Sequence, residues 1–149
     1  MKINYIICLL LLIMSCKENT VKDETETYAD GKPSRKYKRI NNKIEGLMSD
    51  YYPDGKLQGE RFFQNGKQVG KTTIYFPSGK IKEVQYYENN LKNGGDTIFY
   101  ESGKLEFAVT MKHDKKNGYL RKWDEHGLLI YEAKFAMDSL VEVKGKPLE

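Results

Sequence analysis

The chain has 149 residues, with 25 Lys and Arg against 21 Asp and Glu and a formal net charge of +4. The two signs are interspersed instead of gathered into a patch, which argues against a nucleic-acid partner. A mean hydropathy of −0.70, one Trp and eleven Tyr suit a thin β-sheet better than a deep two-layer core.

Lys2, the apolar run Ile3 to Met14 and then Ser15-Cys16 predict a targeting segment at the N-terminus. The run falls short of the roughly twenty residues that a membrane-spanning helix needs, so it reads as a secretion signal. Ile13-Met14-Ser15-Cys16 resembles a bacterial lipobox. That resemblance implies that residues 1–15 are a lipoprotein signal peptide, cut before Cys16, which then takes the lipids. Each buried CH₂ contributes about 0.8 kcal/mol, so a multiply acylated cysteine anchors stably. Cys8 leaves with the signal, and the mature chain then keeps Cys16 alone, which excludes an internal disulfide and a thiolate zinc site. Residues 16–26, polar and acidic from Lys17 to Glu26, are expected to form a flexible tether. Lys17 is not the aspartate that resembles an inner-membrane retention signal, so the expected location is the bacterial cell envelope, at the outer membrane.

From residue 27 onward the chain repeats. Gly31, Gly55, Gly79, Gly103 and Gly127 stand 24 residues apart, and Gly46, Gly70, Gly94 and Gly118 form a second ladder with the same period. Before the first ladder stand two aromatics and turn-formers, as in Tyr51-Tyr52-Pro53-Asp54-Gly55 and Tyr75-Phe76-Pro77-Ser78-Gly79. Pro presets φ for the first turn position, and Gly takes the left-handed one, which predicts a tight hairpin turn. A second turn follows at Asn41-Asn42, Asn65-Gly66, Asn89-Asn90 and His113-Asp114, where type I′ geometry is expected.

Two turns per period leave two strands of six to eight residues each. Ile81, Val84, Tyr86 and Tyr87 on one, and Ile74, Ile98, Phe99 and Tyr100 on others, are β-formers with Lys and Glu between them. From Gly31 to Gly103 no ten residues pass without Gly, Asn or Pro, which disfavours helix there. The expected fold is all-β, a single-layer antiparallel meander of stacked hairpins over residues 27–143. Leu140 to Val143 forms the last edge strand, and a tail at 144–149 blunts that edge with Lys144, Lys146 and Pro147.

The block of two aromatics, a spacer, Asp or Ser, Gly, Lys and Leu or Ile occurs at Tyr51 to Leu57, Tyr75 to Ile81 and Phe99 to Leu105. Joined to the Asn-Gly turn and the second glycine, it resembles the variant MORN repeats of bacterial proteins classed with the YwqK family of antitoxins, over about Thr27 to Phe135. The resemblance implies an elongated, slightly curved β-meander that serves as a scaffold or binding surface, and neutralisation of a toxin as an alternative role. The first and last copies depart from the pattern, with Pro33 and Leu128, as capping copies of a repeat stack do.

Nothing in the chain matches a catalytic or phosphate-binding motif. His113 and His126 both fall at turns, Gly66-Lys67 and Gly70-Lys71-Thr72 have the wrong spacing for a P-loop, and Asp124 and Glu125 point to opposite faces if extended. The expectation is a non-enzymatic protein without cofactor or metal. Tyr51, Tyr75, Phe99 and Trp123 share one register, and Tyr52, Phe76 and Tyr100 share the next on the opposite face. If one row packs, the other is exposed, and Tyr52, Phe76 and Tyr100 are the candidate binding aromatics for a protein partner or a glycan. Lys32, Lys56, Lys80 and Lys104 line one margin, which suits either solubility or contact with anionic lipid headgroups.

Overall fold

The structure, a computed structural model, describes residues 19–144. The expected signal peptide and lipidation site, Cys16, and residues 145–149 of the expected tail lie outside the described residues. Eleven strands follow one another: β1 (Val21–Thr27), β2 (Pro33–Ile40), β3 (Lys43–Tyr51), β4 (Leu57–Gln64), β5 (Lys67–Tyr75), β6 (Ile81–Glu88), β7 (Leu91–Phe99), β8 (Leu105–Lys112), β9 (Lys115–Trp123), β10 (Leu129–Ala136) and β11 (Ser139–Lys144). They form one open antiparallel sheet whose spatial order is the sequence order, and the described residues contain no helix. The single-layer meander expected from the 24-residue period is the fold.

The first glycine ladder makes one margin of the sheet. Gly31, Gly55, Gly79, Gly103 and Gly127 have φ between 83° and 91°, and each donates its N–H to the carbonyl three residues before it. At the other margin both residues of Asn41-Asn42, Asn65-Gly66, Asn89-Asn90, His113-Asp114 and Met137-Asp138 have positive φ, as a type I′ turn requires.

The second glycine ladder has a separate job. Between Lys36 and Lys38, β3 runs from Ser49 back to Glu45, so two extra residues bow out of the strand. The same bulge recurs where β5, β7 and β9 meet the strand before them. Gly46, Gly70, Gly94 and Gly118 sit in these bulges with φ of 79°, 71°, 125° and 126°. On their other side the same strands pair without a break there, as Gly46 with Phe63 and Gly94 with Met111 show. Bulges of this kind increase local twist and bend the strand.

The sheet begins earlier than the sequence suggested. Residues 21–26, placed in the tether because they are acidic and poor in apolar residues, join Thr27 in β1 (Val21–Thr27), and Lys144 closes β11 instead of opening the tail. Its partner β2 is basic. Arg39 and Lys22 stand 3.4 and 3.3 Å from Glu24, Arg35 stands 3.4 Å from Glu26, and the Tyr37 hydroxyl donates to Glu24 at 2.9 Å. The Tyr37 hydrogen bond, with Lys22 and Arg39 beside it, holds the Glu24 carboxyl below its ordinary range against the small cost of burial.

What core there is runs across the strands. Glu24, Tyr37, Met48, Arg61, Thr72, Gln85, Asp96, Val109, Leu120, Ala133 and Val143 form one row, one residue from each strand, on one face of the sheet. Tyr37, Met48, Val109, Leu120 and Ala133 are its buried apolar members, and Thr72, Gln85 and Asp96 its buried polar ones. The polar centre is partly satisfied within itself. The Tyr87 hydroxyl donates to Gln85 at 2.9 Å, Gln85 donates to Glu83, and Lys92 bonds Asp96 at 2.6 Å. Asp96 Oδ1 is buried without a partner. Burial, opposed by the Gln85 hydrogen bond and reinforced by the Asp96 charge, raises the Glu83 carboxyl above its ordinary value.

Candidate functional site

The hairpins are stitched to one another at both margins, and these stitches absorb most of the residues singled out from the sequence. The hydroxyls of Tyr28, Tyr52 and Tyr100 donate to the carbonyls of Tyr51, Tyr75 and Trp123, one period further along, at 2.5, 2.7 and 2.7 Å. Tyr52 and Tyr100 are therefore clasps between repeats, and with Phe76, which has no hydroxyl to donate, they are half-buried and form no fully exposed stripe. The opposite row is also half-buried, with the Tyr75 hydroxyl donating to Glu60 at 3.1 Å and the Lys36 ammonium 5.5 Å from the centre of the Tyr51 ring. Both rows are partly packed, so a division into one core row and one surface row is too simple.

The lysine row is similarly occupied. Lys32, Lys80 and Lys104 donate to the carbonyls of Pro53, Glu101 and Glu125 in the next turn at 3.3, 2.8 and 3.0 Å, and Lys56 pairs with Asp54 at 3.2 Å. At the other margin Asn41, Asn90, Asp114 and Asp138 each take a backbone N–H from the previous repeat through Oδ1, at 2.6 to 3.1 Å. Gly66 has no side chain to do so and contributes its backbone N–H alone, to Ile44.

Phe76 is the member of the clasp row that lacks a hydroxyl. We expect Tyr52→Phe to lose about 1 kcal/mol of stability and Phe76→Tyr to gain a similar amount, the net value of one hydrogen bond. Urea midpoints of the two variants check this; a Phe76→Tyr midpoint at or below the parent's would mean that the clasp contributes packing alone.

Beside the clasps the same face opens into grooves. The first, about 370 Å³, is lined by Glu26, Tyr28, Ser34, Arg35, Asp50 and Gln58. The second, about 400 Å³, is lined by Ile98, Tyr100, Glu106, Phe107, Lys122 and Ile130, with Trp123 at its wall. Residue by residue these are the same positions three periods apart, so one repeat-borne groove occurs in a charged and an apolar version. In the charged version the buried Asp50 carboxylate takes Arg35 Nε at 2.6 Å and Arg61 Nη2, while Arg61 Nε is buried without a partner. Between the two, the Lys82 ammonium lies 5.8 Å from the Phe76 ring centre.

On the opposite face Leu47 pairs with Phe62, and both are exposed, as is Tyr86. His113 and His126 are exposed at turns, and among the described residues no group of His, Cys, Asp and Glu is arranged to hold a metal ion. The carboxylates of Glu83 and Asp96 are engaged by Gln85 and Lys92.

The cross-strand row and the Arg35–Asp50–Arg61 cluster were not found from the sequence. Their signal is a spacing that alternates between 13 and 11 residues, as from Tyr37 to Met48 to Arg61 to Thr72. It becomes readable only once the bulges set which residues lie opposite one another.

A family model described as the MORN repeat variant matches residues 44–65 and 68–89. The two matches correspond to the hairpins β3–β4 and β5–β6, so the chain carries two adjacent MORN-variant repeats. No curated protein matches the chain.

Proposed function

We propose that this protein is a non-enzymatic scaffold of the cell envelope, held to a membrane by lipid on Cys16, whose repeat sheet binds a protein partner. The observation that carries the reading is the recurring groove, charged where Arg35 and Asp50 line it and apolar where Phe107 and Ile130 do. Shallow clefts set along a sheet can each receive one side chain of an extended partner, whereas small-molecule sites are usually single concave pockets. MORN-variant repeats commonly serve protein or membrane interaction, which supports the same reading, and neutralisation of a toxin would be one instance of it.

The experiment uses the full chain in its own membrane, beside Cys16→Ser and a groove variant, Phe107→Gln with Ile130→Ser. Incorporation of labelled fatty acid and retention in the membrane fraction are expected for the parent and the groove variant and lost in Cys16→Ser. Crosslinking in the membrane should capture a discrete partner with the parent and lose it with the groove variant, whose folding is checked by circular dichroism. Unlabelled parent protein would remove the lipid anchor from the reading. A partner captured equally by a folded groove variant would remove the groove.

A further inference from the structure

The cross-strand row ends differently at the two open edges of the sheet. At β1 it ends in Glu24, engaged by Tyr37, Lys22 and Arg39. At β11 it ends in Val143, opposite Ala133 and 47 % exposed, with Leu140 and Val141 beside it at 57 % and 58 %. The first edge carries charge, which discourages further pairing, and the last presents apolar side chains and a free backbone edge, which invites it.

We propose that β11 pairs antiparallel with β11 of a second copy, about a two-fold axis through Val143. Residues directly opposite in such a pair share a face and lie close enough to touch. The register sets Val143 against its own copy, so the apolar run Val109, Leu120, Ala133 and Val143 continues into the same run of the other chain. On the other face it sets Glu142 against Lys144 of the second copy, twice by symmetry. Within one chain Lys144 Nζ already lies 3.2 Å from Glu142 Oε1, so the four charges alternate around the axis.

The competing arrangements are poorer. Moving the axis to Glu142 sets two carboxylates opposite each other, which is destabilising. Joining β11 to β1 of another copy sets Val143 beside the acidic strand that carries Asp23, Glu24 and Glu26, and would build an open filament in place of a closed dimer. The pairing rests on Glu142, Val143 and Lys144 of each copy, all within β11.

The test introduces Val143→Cys into the full chain in its native membrane, with the parent and Ser139→Cys as controls for crosslinks through Cys8 and Cys16. Under mild oxidation Val143→Cys should give a disulfide-linked dimer at least roughly tenfold above both controls, because only a residue on the axis meets itself. In that background Glu142→Lys or Lys144→Glu alone should lower the dimer by roughly tenfold, and the two together should restore it. Crosslinking no stronger than in the controls overturns the dimer. A product of other mass, showing a different protein on the edge, overturns it as well. Dimer that persists through both single charge reversals overturns the register.

Discussion

Gly94→Ala will lower the stability of the sheet by about 3 kcal/mol, the largest effect of any Gly→Ala change among the described residues. Gly94 sits in the β7 bulge at φ 125°, well outside the left-handed region that Asn or Asp can enter. An added Cβ would stand 2.9 Å from Tyr86 Cβ, the one side-chain atom of Tyr86 that no rotamer change can move. Conformational strain and overpacking therefore act together. The other glycines separate the two contributions. Gly70→Ala has open space at φ 71° and should lose about 1 kcal/mol from the left-handed conformation alone. Gly118→Ala, at φ 126° with Thr110 Cβ at 3.2 Å, should fall between them, and Gly95→Ala, with nothing within 4 Å, should be near neutral. Urea midpoints of the four variants check the order; a Gly94→Ala midpoint equal to that of Gly70→Ala would show that Tyr86 yields freely.

Those glycines also show how far the sequence could be read. Gly55 and its equivalents were legible because a hairpin turn is decided by four or five adjacent residues, and Pro53-Asp54-Gly55 states its own geometry. Gly46 and its equivalents were visible as a ladder, but their bulge depends on which strand lies alongside, and no local residue says so. The acidic β1 was missed for the same reason, since what orders Asp23, Glu24 and Glu26 is the basic strand that begins at Pro33. Tyr52 and Tyr100 were legible as a periodic row, but whether that row is exposed was not. Their hydroxyls bond carbonyls 23 residues away, and that distance closes only after the hairpins stack.

Asp50→Ala should destabilise the protein by about 2 kcal/mol. Removing one member of a fully buried ion pair typically costs about 3 to 5 kcal/mol. Asp50 is buried, but Arg35 and Arg61 are each about one-third exposed, so water takes up part of what the carboxylate leaves. The hydrogen bond from Arg35 to Asp50, acting against the cost of burial, holds the Arg35 guanidinium above its ordinary value, in keeping with a carboxylate that both arginines need. The neighbouring repeats supply a compensating change. Ile74 and Ile98 occupy the position of Asp50, and Val109 that of Arg61. Asp50→Ile combined with Arg61→Val should recover most of the loss seen with Asp50→Ile alone, because it replaces an unmatched charge with the apolar packing already used further along. Thermal or urea midpoints of the single and double variants decide it; a double variant weaker than Asp50→Ile would show that Arg61 has a partner other than Asp50.

Among the described residues each strand of this sheet is bonded only to the strands before and after it in the chain, and the side-chain stitches between repeats reach no further than 23 residues along the sequence. No strand closes a circle and no core has to be filled to a fixed volume, so nothing in the geometry counts the hairpins. Length is a free quantity in such a molecule. A gene that gains or loses one whole period between them moves the charged cleft and the apolar cleft apart or together by one step, while residues away from the junction keep the neighbours they had. The distance between two binding features can thus be altered in fixed increments, as marks along a ruler, by an event far simpler than the redesign of an interface.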